Sequence, residues 1–186
     1  MKKSMLVLLV CVLFVSGCAF TGRRLMLNYS VVLPAAQKNN IAVKVNQFKD
    51  ERTWSRTKVG DVKNGYGMRC SEIIPQNDVC VWITDAFKAE LTNAGYTVNN
   101  DTAVNNIEGA VLEVYTDAWM NYGGRIKLNV VLKKDGKEIL TKHYEVQKNC
   151  GLNWAATTES YAKTLELTLQ DIMKQVIPDI DAALKQ

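Results

Sequence analysis

Hydrophobic and polar positions divide the chain into stretches of different period. Met5 to Val15 is an unbroken apolar run of eleven residues behind Lys2 and Lys3. Residues 19–40, AFTGRRLMLNYSVVLPAAQKNN, hold no sustained period, which predicts a tether ending in a short extended segment around Tyr29 to Leu33. Alternation sets in at Ile41 to Phe48 (IAVKVNQF), the pattern of a strand. Val79, Trp82, Ile83, Ala86, Phe87, Glu90 and Ala94 then recur at helical spacing, mostly apolar. Asn77 or Asp78 can cap that helix and Gly95 can stop it, so it is predicted to run to about Asn93. Tyr96 to Val98 begins a short strand, and residues 99–106 (NNDTAVNN) read as a polar loop.

Three longer strands follow, Ile107 to Met120, Arg125 to Lys133 and Glu138 to Gln147. They are joined by predicted turns at Asn121-Tyr122-Gly123-Gly124 and Lys134-Asp135-Gly136. A two-residue Asp-Gly loop at the second turn would pair Leu128 with His143 and Val130 with Thr141, setting polar groups against an apolar row. A three-residue loop with Gly136 in a bulge pairs Val130 with Leu140 and Ile126 with Tyr144, and is the favoured register. It sends His143 outward and leaves Lys142 on the inner face. A last helix runs from Thr157 or Thr158 to Leu184, with Tyr161, Leu165, Leu169, Ile172, Met173, Val176 and Ile180 on one side and a late kink expected at Pro178. This order predicts an α+β fold: a twisted mixed β-sheet with two helices packed on one face, in a single domain spanning 41–186.

The apolar run at the start changes the chemical picture. Eleven helical residues span about 16 Å, roughly half the hydrocarbon thickness of a bilayer, so the run reads as an export signal over residues 1–17. Val15-Ser16-Gly17-Cys18 resembles the bacterial lipobox, which implies acylation of Cys18 and cleavage in front of it. Three acyl chains exceed the two signals that stable anchoring requires. Ala19 and Phe20 follow the cysteine where an Asp would favour inner-membrane retention. The expected address is therefore the outer membrane, facing the periplasm, with residues 18–40 as the lipidated tether.

Of five cysteines, this leaves Cys70, Cys80 and Cys150 in an oxidising space. A Cys70–Cys80 bridge around the Pro75-Gln76-Asn77-Asp78 turn is the first expectation, worth roughly 3 kcal/mol in the chain-entropy model. Cys150 is the alternative partner for either thiol. With no CxxC and His143 the only histidine, no metal site is expected. The formal charge of +4 falls to +2 once Lys2 and Lys3 are removed, and nothing in it points to nucleic acid.

Candidate chemistry is sparse. A catalytic triad would have to be built on His143, and a lone histidine on a strand is more often a surface residue. Asp50, Glu51 and Arg52 read as a local pair fixing the loop that follows. Gly123-Gly124 has no following helix to hold a phosphate. No enzyme activity and no cofactor are expected. The segment from Lys49 to Asn77 is different: it is 29 residues long and lacks a clear period, and such loops are usually functional or disordered. Asp50, Arg52, Trp54, Arg56, Tyr66 and Arg69 are its partner-binding candidates, since Trp, Tyr and Arg dominate buried interface centres. Trp119, Tyr122 and Trp154 would add a second surface if the strand ends approach this loop.

Several short motifs carry a family resemblance: the lipobox, Asp50-x-Arg52 with Gly60 beyond it, Ala86, Phe87, Glu90 and Leu91 leading into Ala94-Gly95-Tyr96, Gly109, and Lys142-His143-Tyr144. In these the chain is similar to the YajG-like family of bacterial lipoproteins. More distantly it resembles the periplasmic domains of TolB, of the curli secretion lipoprotein and of lipoprotein activators of peptidoglycan synthases. The resemblance implies a protein anchored to the membrane by lipid that docks another periplasmic or outer-membrane protein. A carrier of a small apolar ligand or lipid, and a purely structural envelope protein, are the alternatives.

Overall fold

The structure is a computed structural model and describes residues 22–98, 101–152 and 157–185. The export signal, Cys18, the Asn99-Asn100 pair and Trp154 lie outside the described residues. Among the described residues nine strands and two helices follow in the order β1 (Arg23–Leu25), β2 (Ala42–Val45), β3 (Lys49–Asp50), β4 (Gly60–Lys63), β5 (Arg69–Pro75), α1 (Val79–Asn93), β6 (Thr97–Val98), β7 (Asn105–Ala118), β8 (Asn121–Lys134), β9 (Lys137–Leu152) and α2 (Thr158–Leu184).

One mixed, unclosed sheet holds all nine strands. Its axis is β7, which pairs with β2, β3 and β4 in parallel along one side and with β8 antiparallel along the other. β8 carries β9, β4 carries β5 antiparallel, and β1 lies parallel to β5. Both helices share one face and one core with the inner row of β8, where Ile126, Leu128, Val130 and Leu132 are all fully buried. The α+β class, with two helices against a mixed sheet, is as the sequence predicts. α1 starts where expected: the Asp78 carboxylate accepts from the Val81 amide at 2.9 Å, and Gly95 stops the helix at φ +89°. In α2, Thr157 accepts from the Ser160 amide at 3.2 Å, and the helix continues through Pro178.

The β8–β9 turn takes neither predicted register. Asp135 and Gly136 both have positive φ, 52° and 76°, as a two-residue type I′ turn requires. Lys134 faces Lys137, and the register then slips at Ile139 so that Leu132 faces Leu140 and Leu128 faces Tyr144. A tight turn plus a bulge restores the face that a one-residue slip would have inverted. His143 does point outward, and Lys142 does lie on the inner side. It escapes the core by reaching Asp179 of α2 at 2.7 Å, which also accepts from the Tyr144 hydroxyl at 2.7 Å.

Gly123 and Gly124 are not in a turn. They lie inside β8, opposite Asp117 and Thr116, and a Cβ on Gly124 would sit 2.5 Å from Thr168 Oγ1 of α2. Gly124 lets a helix press on the sheet, which local sequence cannot reveal, while Gly123 faces Asp117 on the other side.

Nor is the predicted tether free. From Arg23 onward it is part of the fold: Leu25 and Leu27 are buried, and residues 27–33 are bonded to both helices. Asn77 brackets Leu27 with two bonds of 2.9 Å, Trp82 Nε1 donates to Asn28 O at 3.0 Å, and Gln170 donates to Ser30 O at 2.8 Å. Glu90, a polar residue in the apolar pattern of α1, is fully buried. It accepts from the Tyr29 hydroxyl and from the amides of Val32 and Leu33, which is what makes its burial tolerable. Burial above all, then the hydrogen bond to Glu90 and the charges of Glu90 and Glu166, push the Tyr29 phenol well above its ordinary range.

Candidate functional site

The 29-residue segment from Lys49 to Asn77 is ordered as three strands and two connections, so its lack of period does not mean a mobile loop. Its first connection is organised by Arg52, whose residue exposure is only 4%. Arg52 grips Asp50 through Nε at 2.9 Å and Nη2 at 2.8 Å, and donates onward to the carbonyls of Arg56 at 2.8 Å and Lys58 at 3.3 Å. A buried guanidinium with a bidentate carboxylate and two carbonyl acceptors is a structural clamp. The Arg52 hydrogen bonds hold the Asp50 carboxyl below the usual carboxylate range. Asp50 and Arg52 are thereby used up in holding the fold, and Arg56 contributes its carbonyl to the clamp while its side chain is on the surface.

What the clamp positions is Trp54. Its ring meets Tyr115 edge-on, with centroids 5.1 Å apart, and Lys58 Nζ stands 5.4 Å from the indole centroid. Tyr115 lies on β7 and its other neighbour is Arg125 of β8, 5.6 Å from the ring. Arg125 pairs with Glu113 at 2.7 Å, and Lys127 pairs with Glu145 at 2.9 Å. These side chains occupy the sheet face away from the helices, since their chain neighbours Ile126 and Leu128 are in the core. Trp54, Glu113, Tyr115, Arg125 and Lys127 line a groove of about 460 Å³. Burial, with Asp117 and Asp61 nearby, raises the Tyr115 phenol above its ordinary range, so it stays a neutral hydroxyl. The Trp54 indole N–H is buried and has no acceptor. Tyr115, Arg125 and Lys127 were missed as members of this site; the readable signal was two cations alternating with the core row of β8.

The second connection is a hairpin tip between β4 and β5. Asn64 builds it, donating from its amide to Met68 O at 2.9 Å while its side-chain oxygen accepts from the amides of Tyr66 and Met68 at 3.0 Å each. The β7–β8 turn comes up against it: Trp119 Nε1 donates to Gly65 O at 3.0 Å, and the indole packs over Gly67. The strand ends thus do approach the loop, as the second predicted surface required. Tyr122, however, is buried edge-on against Tyr161 at 5.8 Å. Instead Tyr66 (87% exposed), Met68 (60%), Trp119 (51%) and Met120 (68%) all stand out at this one end of the sheet. Arg69 beside them is exposed and only loosely held, 3.9 Å from Asp61 and from Glu72.

Cys70, Cys80 and Cys150 are free thiols in the structure, so the expected loop-closing bridge is not formed. Cys70 sits exposed near the start of β5, five residues or about 16 Å of extended strand from Pro75. Cys80 is buried in the first turn of α1, and a bridge requires Cα atoms within about 7 Å. Burial pushes the Cys80 thiol up to about 11, with the charges of Asp50 and Asp78 adding to it. His143 lies on the outer face with Nδ1 2.9 Å from Asn129 Oδ1 and Nε2 3.9 Å from Glu145.

An open mixed sheet backed by two helices, with an aromatic and cationic groove on its uncovered face and an apolar tip at its strand ends, is the domain the described residues build. The chain belongs to the family described as "uncharacterized lipoprotein", whose model matches residues 31–185, in agreement with the YajG-like resemblance. A crystal structure of a DUF330 protein from Xanthomonas campestris shares the fold, with a TM-score of 0.69 at 13% identity over 89% of this chain and 98% of that one. A hypothetical protein from Chlamydia trachomatis is similar with a TM-score of 0.54 at 8% identity, over 78% and 98% of the two chains. These likenesses are of fold. No curated protein matches the chain. Membership points to a membrane-anchored envelope protein, and among the described residues no helix is long and apolar enough to cross a membrane.

Proposed function

We propose that the protein is an outer-membrane lipoprotein, acylated at Cys18 and facing the periplasm, whose domain is a non-enzymatic docking module for another envelope protein. The observation that carries this reading is the groove of Trp54, Tyr115 and Arg125 on the uncovered sheet face. It combines the residue types that anchor interfaces with a rigid support, the Arg52 clamp, so little side-chain entropy is lost when a partner binds. Arg125 and Lys127, the cations in the lining of the groove, suit a partner segment that brings a carboxylate.

A photo-crosslinker placed at position 54 or 127 of the full chain in intact cells should give a discrete protein adduct that is lost in an Arg125→Glu variant. The same crosslinker at Lys174, on the exposed side of α2, should give none. Equal capture from all positions, or no adduct at 54 and 127, would sink the docking reading. Ala19→Asp should move the protein from the outer- to the inner-membrane fraction. No shift would count against the sorting.

A further inference from the structure

We infer that the tip formed by Tyr66, Met68, Trp119 and Met120 is the surface on which the anchored domain rests against the lipid bilayer. This goes beyond the docking groove and rests on the anchoring at Cys18. Cys18 is five residues before Arg23, and five residues span at most about 18 Å whatever their path. The folded domain therefore cannot swing away from the membrane as it would on a tether running to residue 40.

Which end of the sheet faces the bilayer follows from the strand directions. Arg23 lies level with Ile73, Gly60, Thr116, Gly124 and Lys148, one row across six neighbouring strands. β1 runs parallel to β5, and β5 runs away from the hairpin tip, so the chain enters β1 from the tip side. Gly22 still follows this line, since a Cβ built there would lie 3.5 Å from Glu72 O. Met68 is five residues before Ile73, about 17 Å above that row. The opposite end of the sheet, at the Asp135-Gly136 turn, is ten residues of β8 below the row, about 34 Å. The lipid attachment can come level with the tip and cannot reach the far end.

The chemistry at the tip matches the surface it is brought to. Trp and Tyr rings prefer the boundary between headgroups and acyl chains, and Met is a flexible apolar filler. Of the large apolar side chains exposed among the described residues, the three most exposed, Tyr66, Met120 and Met68, belong to this end, and Trp119 follows at 51%, level with Val104 beside the far turn. Arg69, exposed and next to Met68 in the chain, is placed to meet lipid phosphates. The Trp54 groove, on the broad face of the sheet, is left clear for a partner arriving from the periplasm.

The test uses the acylated full chain in vesicles of phosphatidylethanolamine and phosphatidylglycerol, with and without brominated acyl chains that quench tryptophan on contact. Emission should be quenched in the wild type, most of the quenching should disappear in Trp119→Phe, and Trp54→Phe should keep it. Tyr66→Asp combined with Met68→Asp, which leaves Trp119 in place, should also reduce it. Equal quenching in wild type and Trp119→Phe would overturn the proposal. So would absent quenching together with a protein captured from a crosslinker at position 66, which would give the tip to a protein partner. A Cys18→Ser chain that floats with vesicles as well as the wild type would overturn the anchor itself, a result separable from the quenching.

Discussion

The two connections of the Lys49–Asn77 segment look alike as sequence, each short and carrying an aromatic residue, with an arginine within it in the first and directly after it in the second. They meet opposite fates. In the first, the Arg52 guanidinium is withdrawn from water and closes the connection on Asp50 and two carbonyls; in the second, Arg69 stays in solvent and the Asn64 side chain holds the tip by backbone bonds alone. The first connection fixes a tryptophan against the sheet; the second lifts a tyrosine and a methionine off it. A charged side chain becomes structural when enough acceptors converge to repay its desolvation, and remains available for binding when they do not.

The largest test of that contrast is Arg52→Ala. It strips Asp50 and two carbonyls of their donor and should cost about 3–5 kcal/mol, read as a lower midpoint in denaturant titration. Gly60→Ala should come next. A Cβ there would stand 1.9 Å from Thr116 O, so β4 must shift on β7, at about 1–3 kcal/mol. The pH dependence has a definite sign. Because the Asp50 carboxyl is held low in the folded state, its stabilisation is complete above the unfolded carboxylate pKa and is lost as pH falls through the folded value. Asp50→Asn should flatten that acid limb, and an unchanged acid limb would remove Asp50 from the clamp. Smallest of all, Tyr66→Ala with Met68→Ala should alter stability by no more than about 0.5 kcal/mol, because both side chains are already in solvent. A large loss would show the tip to be structural after all. Thiol labelling offers a parallel contrast: exposed Cys70 should react in the native protein, whereas Cys80, raised to about 11 and buried, should react only on unfolding.

Much of the architecture was readable because it rests on local patterns. The period of α1, its Asp78 cap and Gly95 stop, the three long strands and α2 each carry their signal within a few residues. What was misplaced depends on partners far away in the chain. Residues 27–33 look like a linker because their order comes from Asn77, Trp82, Glu90 and Gln170, 50 to 140 positions downstream. β4 and β5 lack an alternating pattern because β4 is only four residues long and the start of β5 is exposed. At the candidate sites, Trp54 and Tyr66 were recognisable from residue type. Their separate roles were not, since only strand pairing brings Tyr115 and Arg125 to one and Trp119 to the other.

By itself the sequence determined the α+β class, the helix limits and the inward faces of the meander, through periodicity and capping, and set the expectation of a lipidated Cys18. Tertiary structure alone decided that Arg52 is a clamp, that the supposed tether is bonded to both helices, that Gly124 admits a helix and that Cys70 and Cys80 stay apart. The physical reason is the range of the forces involved. Hydrophobic period and caps act within a few turns of chain, whereas the burial of a charge, the approach of a helix and the pairing of short strands are fixed by groups that only the completed fold brings together.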